Sequence, residues 1–430
     1  MNKRLFTVLG ICLLVTLLST LLTLAVGFSS STGRSVTSQL ILSPSPAAAA
    51  PAKTGKPIKI GYLGTFTGHS ASSNPWMLNG AQLAINEYGG KLAGRQIELI
   101  SEDSASSPTV SVDKARKLVE QDQVDALMGP LPANCAMPVS AYLAKTQIPH
   151  IAVEELPINT AGLGKWSFTH AGTQRGIGYY AGLYAYDTLG YRRATVIHDD
   201  IVFAEDFLQG AMDGFVSRGG KIVQRQRAAM NTMDYGPYIT KMQNADVVFY
   251  WFVGQNTFKF INQYPQYSLK MPLLEAGVRA LQTPQLQQLG DKALGMCMVA
   301  PYDISLNFPE VQNWVNRWNQ LFGSKSETDG KDADNYAGQC AYISVHALLE
   351  AIKTTNGDTT PAVFNKALKN LQCNTPWGKL GFNDQGIGIG SMYILKVVKS
   401  GDRYVVNNAF TYPQAIRDEP ANVKDMAPKM

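Results

Sequence analysis

Residues Val124–Pro157 read VDALMGPLPANCAMPVSAYLAKTQIPHIAVEELP. The apolar run Val124–Met128 has the length of a buried strand. Gly129-Pro130-Leu131-Pro132-Ala133 then stops regular structure. Asn134 is read as a helix N-cap, because its side-chain oxygen can accept a free amide of the first turn. Pro138 is placed in that first turn, where a missing N–H costs little. The helix is expected to run to about Thr146. A second strand, Pro149–Val153, ends in Glu154-Glu155-Leu156-Pro157. Strand, helix and strand in this order imply two parallel strands with their loops at one sheet edge. Open α/β sheets bind ligands at that edge, and a helix N-terminus there suits a carboxylate.

The same alternation extends in both directions. Ile58–Gly64 and Ile97–Ser101 read as strands, while Pro75–Tyr88 and Asp113–Gln121 have the spacing of amphipathic helices. A first parallel sheet covered by helices follows. Phe168–Arg175 is read as a crossover. A second alternation begins with the helix Tyr179–Leu189. It includes the strand Ala194–His198, the helix Phe203–Val216 and the strand Asp246–Val253, apolar from Val247 onward. Tyr336–Ile352 is the longest expected helix, and Ser391–Val398 and Tyr404–Phe410 alternate as antiparallel strands. At 430 residues the chain exceeds one core, and two lobes with a cleft between them are expected.

The formal charge is +5, but residues 1–50 carry Lys3, Arg4 and Arg34 and no acid, which leaves +2 for 51–430. Nothing in this balance supports nucleic-acid binding. Lys3 and Arg4 precede the apolar run Leu5–Phe28. That run is longer than the roughly 7–15 residues of a usual signal core and meets the ~20 needed to span a bilayer. Ala47–Ala50 offers a cleavage site before Pro51, so a cleaved signal and a retained anchor both remain open. Cys12 is a poor lipoprotein cysteine, because Ile11 precedes it. Residues 29–57 read as a tether or a removed leader, and the folded part is expected outside the cytoplasmic membrane. Cys135, Cys297, Cys340 and Cys373 match no zinc spacing. Export permits disulfides; Cys340–Cys373 is the preferred pair, with four buried free thiols as the other reading.

The ordered series IKIGYLGTFTG, NGAQLAINEYGGKLAGRQIELISED, MGPLPANCAMPVS with IPHIAV, ATVIHDDIVFAEDFLQGAMDGFVSRGGKIV, DYGPYITKMQNADVVFYW and NTPWGKLGFNDQG covers most of 58–412. In that order and spacing the chain resembles the type I periplasmic solute-binding proteins of ABC importers, in their leucine/isoleucine/valine-binding branch. The resemblance implies an α/β protein of two Rossmann-like lobes, with parallel sheets flanked by helices and three crossovers. Lobe 1 is expected over 58–173 and 300–388, lobe 2 over 174–299 and 389–412, and a polar tail over 413–430. It also implies that loops at Ala133–Ala136 and Glu154–Leu156 meet a ligand carboxylate. Where the family's amino-acid binders favour Ser and Thr, this chain has Ala133, Asn134, Cys135, Glu154 and Glu155.

Further candidates are Trp76, which could stack on ligand; Phe203, where the family closes an aromatic over ligand; and Glu275, near the family's acid for an α-ammonium group. Glu154 and Glu155 are candidates for an ammonium or amide group. Arg175 and Arg279 have simpler surface or helix-end roles. Several acids sharing one cleft would favour a cationic or zwitterionic ligand. No HExxH, nucleophile elbow or P-loop occurs. Gly176, Gly178 and Gly182 form only G-x-G-x-x-x-G, a weak match to a dinucleotide loop.

The expected molecule is therefore not an enzyme and needs no cofactor or metal. It is a monomeric receptor that captures a branched-chain or other hydrophobic amino acid by hinge closure and docks on an ABC permease. Urea or short amides, aromatic acids, or a membrane-tethered sensor are the alternatives. N-terminal sequencing of the exported protein separates the two leader readings: a first residue of Pro51 marks cleavage, and a membrane-bound chain retaining Leu5–Phe28 marks an anchor.

Overall fold

A computed structural model describes residues 55–157, 159–281, 283–323 and 333–418. The leader, its cleavage site and Cys12 lie outside the described residues, as do nearly all of the 323–332 loop and residues 419–430.

The first sheet is built from β1 (Ile58–Gly64), β2 (Lys91–Leu92), β3 (Arg95–Asp103), β4 (Ala126–Met128), β5 (His150–Ala152) and β6 (Ser167–Thr169). Its order is β2-β3-β1-β4-β5-β6, parallel except for the β2–β3 hairpin. Alternation along β1 explains why both faces are covered. Ile58, Ile60 and Tyr62 point into the main core, and Leu63 points into a smaller one with Ala115 and Leu118. The connecting helices are α1 (Asn74–Glu87), α2 (Pro108–Glu120) and α3 (Ala133–Thr146).

The second sheet follows α4 (Gln174–Asp187). It contains β7 (Arg193–Asp199), β8 (Lys221–Ala228), β9 (Val247–Trp251), β10 (Leu273–Glu275) and β11 (Cys297–Ala300), with α5 (Val202–Ser217), α6 (Gly236–Thr240), α7 (Gln255–Gln263) and α8 (Thr283–Leu289) between them. The chain then returns to the first lobe as α9 (Pro309–Phe322), α10 (Tyr336–Thr354) and α11 (Pro361–Lys369). It ends in β12 (Gln372–Thr375), β13 (Gly378–Phe382), β14 (Gly388–Ser400) and β15 (Arg403–Ile416). The second sheet runs β12-β13-β14-β11-β10-β9-β7-β8, with β15 also on β14.

The glycines of the weak nucleotide-loop match have a packing role. A Cβ on Gly178 would fall 1.9 Å from the Phe207 carbonyl oxygen, and one on Gly182 would fall 2.1 Å from that of Ala211. From the facing helix, Gly210 and Gly214 approach Arg175 and Tyr179 as closely. These positions let α4 and α5 pack backbone to backbone.

Three features differ from the sequence reading. The β12–β13 hairpin, placed within lobe 1, pairs with β14 while Phe382 packs 5.1 Å from Phe168 of β6, so it straddles the two sheets. Residues 413–416, placed in the polar tail, continue β15, and Arg417 and Asp418 are buried. All four described cysteines are free and buried. Cys340 and Cys373 occupy one apolar core as thiols, and burial pushes the Cys373 thiol up to about 12.

Arg417 joins the connections between lobes. Its guanidinium donates to the His170 carbonyl (2.6 Å), the Tyr302 hydroxyl and the Ser391 carbonyl (2.9 Å). These acceptors lie on or beside the three segments that pass between the sheets. Its backbone N–H donates to the Gly388 carbonyl, and its carbonyl accepts from the Thr173 N–H at 2.8 Å. Tyr302 also lies under the guanidinium, 4.6 Å from ring centroid to charge. Removing this cation leaves several buried carbonyls without donors. Arg417→Met is expected to lose on the order of 3 kcal/mol of stability in urea unfolding. Arg417→Lys should recover only part of that loss, because an ammonium cannot span the same fork of acceptors.

Candidate functional site

A cavity of about 180 Å³ opens between the lobes. This is below the roughly 300–1,000 Å³ of drug-sized sites and suits a solute of amino-acid scale. The first lobe supplies Ser73, Glu154 and the start of α10; the second supplies Arg279, Ala280 and Leu281 from the loop after β10. Ala300 at the end of β11, and Tyr302 and Asp303 on the return crossover, line it as well.

Two long helices begin at this cavity. Glycines again set the approach: a Cβ on Gly80 of α1 would lie 2.1 Å from the Gly338 carbonyl oxygen of α10. Trp76 meets Gly338 near the start of both helices, and Glu87 receives the Tyr342 hydroxyl further along. The helices therefore run parallel, with their N-termini at the same end. Asn335 caps α10, its Oδ1 accepting from the Gly338 N–H at 3.4 Å. Tyr336 and Ala337, the first two residues of α10, line the cavity, and amides at these positions have no intrahelical acceptor. Ser73 precedes α1 at the same cavity. This end of both helix dipoles favours a carboxylate.

The charged groups are unevenly committed. Arg279 is clamped between Asp303, Nε to Oδ2 at 3.2 Å, and Asp334. Asp334 Oδ2 also accepts from the Thr283 N–H and hydroxyl, and Asp303 Oδ1 from the Ser305 N–H. Glu155 is absent from the cavity lining and accepts the Tyr336 hydroxyl. Glu154 lines the cavity and has no side-chain partner among the described residues. Burial raises its carboxyl well above the ordinary range, and the Glu155 charge adds to this. Glu155 is also raised by burial, against the pull of the Tyr336 hydroxyl.

Of the eight residues nominated from sequence, Glu154 is the one that lines this cavity. Trp76 is buried against α10. The start of α3 contributes nothing to the lining. Pro132 occupies the N-cap position, so Ala133 and Asn134 already lie inside the helix, and Asn134 is exposed without capping. Pro138 is correspondingly interior to α3, beyond its first turn. Cys135 is buried, and burial raises its thiol against the pull of the Ser111 hydroxyl of α2. Phe203 packs on Trp251 and Phe207 at 5.3 and 5.1 Å. Glu275 sits at the end of β10, 1% exposed, with Oε1 accepting the Ala280 N–H. The sequence reading did not nominate Ser73, Tyr302, Asp303, Asp334, Tyr336 or Gln339. Asn335 ahead of the longest apolar helix was the available signal for that second N-terminus.

Two α/β lobes with a polar cavity in the cleft and three crossovers at its base define a solute-binding protein. The chain belongs to the periplasmic binding protein family, whose model matches residues 57–402. It is 24% identical over 356 residues to Leu/Ile/Val-binding protein homolog 6 of Brucella abortus, spanning 80% of this chain and 88% of that one. Among solved structures it is similar to an ABC transporter substrate-binding protein from Sphaerobacter thermophilus (TM-score 0.75, 26% identity, 84% of this chain and 99% of that one). A solute-binding protein of an ABC transporter from Rhodopseudomonas palustris, in complex with 3,4-dihydroxybenzoic acid, shares the fold (TM-score 0.71, 20% identity, 84% and 98% covered).

Burial pushes the Glu275 carboxyl up to about 8, against the Ala280 N–H and the Arg279 charge. Between its ordinary 4.5 and about 8 the native state holds a proton that the unfolded chain has released. Stability contributed by this group is therefore lost as pH rises through that window. Glu275→Gln keeps the acceptor for Ala280 and cannot ionise. Its melting temperature relative to wild type is expected to climb steadily from pH 5 to pH 8.

Proposed function

We propose that this chain is the extracytoplasmic solute-binding component of an ABC importer. It captures a small zwitterion, a branched-chain or other hydrophobic amino acid, by closure of the two lobes and presents it to a membrane permease. The observation that carries this reading is the cavity's pairing of opposite preferences. The amide ends of α1 and α10 favour an anionic group, and the uncommitted Glu154 carboxyl beside them favours a cationic one. An α-amino acid carries both groups on one carbon. The name of the Brucella relative, a Leu/Ile/Val-binding protein homolog, supports the same class.

An aromatic acid is the second reading, favoured by the Rhodopseudomonas structure with its dihydroxybenzoate. The charges weigh against it. Arg279, the lining cation, is already held by two aspartates, so a lone carboxylate would meet an excess of negative charge.

A thermal-shift screen with L-leucine, L-isoleucine, L-valine, urea, acetamide and 4-hydroxybenzoate tests the proposal. A ligand that binds only the folded state at a hundred times its Kd adds roughly 2.7 kcal/mol. The branched-chain amino acids are expected to raise the melting temperature by several degrees. A rise with 4-hydroxybenzoate or urea, and none with the amino acids, would contradict it.

A further inference from the structure

We propose that Glu154 and Gln339, both presented by the first lobe, form the subsite that receives the solute's ammonium group, and that Glu275 of the second lobe does not contact it. This rests on the zwitterion reading above and assigns one end of that zwitterion to particular atoms.

The assignment follows from which acceptors remain uncommitted. Both oxygens of Asp303 are engaged, one by Ser305 and one by Arg279. Asp334 is engaged by Arg279 and Thr283. Glu275 does not line the cavity and is tied to the loop that follows it. Among the described carboxylate and amide side chains of the lining, two acceptors are left. One is the Glu154 carboxyl. The other is Gln339 Oε1, which is buried without a hydrogen-bond partner on a residue only 2% exposed that lines the same cavity. A bare acceptor at this depth is costly, and a donor brought by the solute would satisfy it.

Position supports the same assignment. Gln339 closes the first turn of α10, just after the Tyr336 and Ala337 amides, and its own N–H already donates to the Asn335 carbonyl. The Tyr336 hydroxyl donates to Glu155, which brings the 154–155 loop against the same turn. Carboxylate donors and ammonium acceptors therefore converge on one end of one helix. An α-amino acid, whose two charged groups are separated by a single carbon, requires that closeness. Because both halves of the subsite belong to the first lobe, the solute's polar end is held before the second lobe closes.

A proton accompanies the capture. With the cavity empty, Glu155 on its own loop and burial both oppose the Glu154 anion. The other titratable groups facing it are Tyr336 and Cys340 of α10, and Arg279 with Asp303 and Asp334 share the cavity. When an ammonium arrives, the Glu154 carboxyl ionises and its proton leaves to solvent. The ammonium keeps its own three protons.

Isothermal titration of the whole folded protein tests this. The probes are L-leucine and 4-methylpentanoate, the same skeleton without the ammonium group, measured from pH 5 to pH 9. Wild type is expected to prefer leucine and to gain leucine affinity with rising pH, by at most tenfold per unit, until Glu154 is ionised. Glu154→Gln is expected to lose at least thirtyfold in leucine affinity, to bind 4-methylpentanoate no worse than wild type, and to show a flat pH profile. Gln339→Leu should lose about tenfold, whereas Glu275→Gln should stay within threefold. Glu154→Asp, should the amide variant fold poorly, is expected to keep the pH slope at reduced affinity. Leucine binding that survives Glu154→Gln and collapses in Glu275→Gln would overturn the subsite and leave the zwitterion reading standing. Wild type that binds 4-hydroxybenzoate or urea and not leucine would overturn both.

Discussion

A single buried guanidinium holds the geometry on which the binding cleft depends. Arg417 reaches the His170 carbonyl on one crossover, the Tyr302 hydroxyl on the second and the Ser391 carbonyl just past the third. Desolvating a cation this far is expensive, and carbonyl and hydroxyl dipoles offset the cost only while all three segments stay in register. His170 adds to the tie. It bonds the Tyr302 hydroxyl and Ser344 of α10, each at 3.0 Å. Its burial beside Arg417 pushes the imidazole down to about 3, so it remains neutral. Three strands of chain bound at one point can bend together as a hinge, and they position the cavity floor at Tyr302 and Asp303.

From that hinge the two lobes contribute unequally. The first lobe brings two parallel helices whose closeness is enforced by Gly80 against Gly338, so two positive dipole ends open into one hollow. The second lobe brings Arg279, but as an internal strut between Asp303 and Asp334. A guanidinium held by two carboxylates has little left to offer a ligand anion. On the proposed reading the helix ends and the Glu154 carboxyl, rather than the clamped Arg279, select what the cleft accepts. The second lobe's aromatic cluster of Phe203, Phe207 and Trp251 lies outside the cavity lining.

Much of the fold was legible in the sequence because strands buried on both faces leave an unmistakable mark. Val247–Trp251 and Ile58–Gly64 are strands for the reason the apolar runs suggested. The place of Glu154 on the cavity wall was legible because it closely follows such a strand at a sheet's carboxyl edge. The expected helix N-terminus at Ala133–Ala136 does not line the cavity, whereas the start of α10 does. The local signals around Asn134 favour an N-terminus there, and one exists, but Pro132 takes the cap position and the turn is absent from the cavity lining. Of the two helices that open on the cavity, α10 starts at Tyr336, some 180 residues from Glu154. Local chemistry does not reveal which helix end the hinge brings to which loop. Arg417 was hidden for a related reason: it lies in a polar stretch that composition assigns to solvent, and its burial comes wholly from long-range contacts.

The measurement that tests this account most directly is a crystal structure grown with L-leucine, or with whichever branched-chain amino acid gives the larger thermal shift. The account places the ligand carboxylate at the amide ends of α1 and α10 and the ammonium group at Glu154 and Gln339, with Arg279 still clasped by Asp303 and Asp334. Ligand seated against Phe203 and Trp251, or a ligand carboxylate paired with Arg279 after it has left its aspartates, would contradict it.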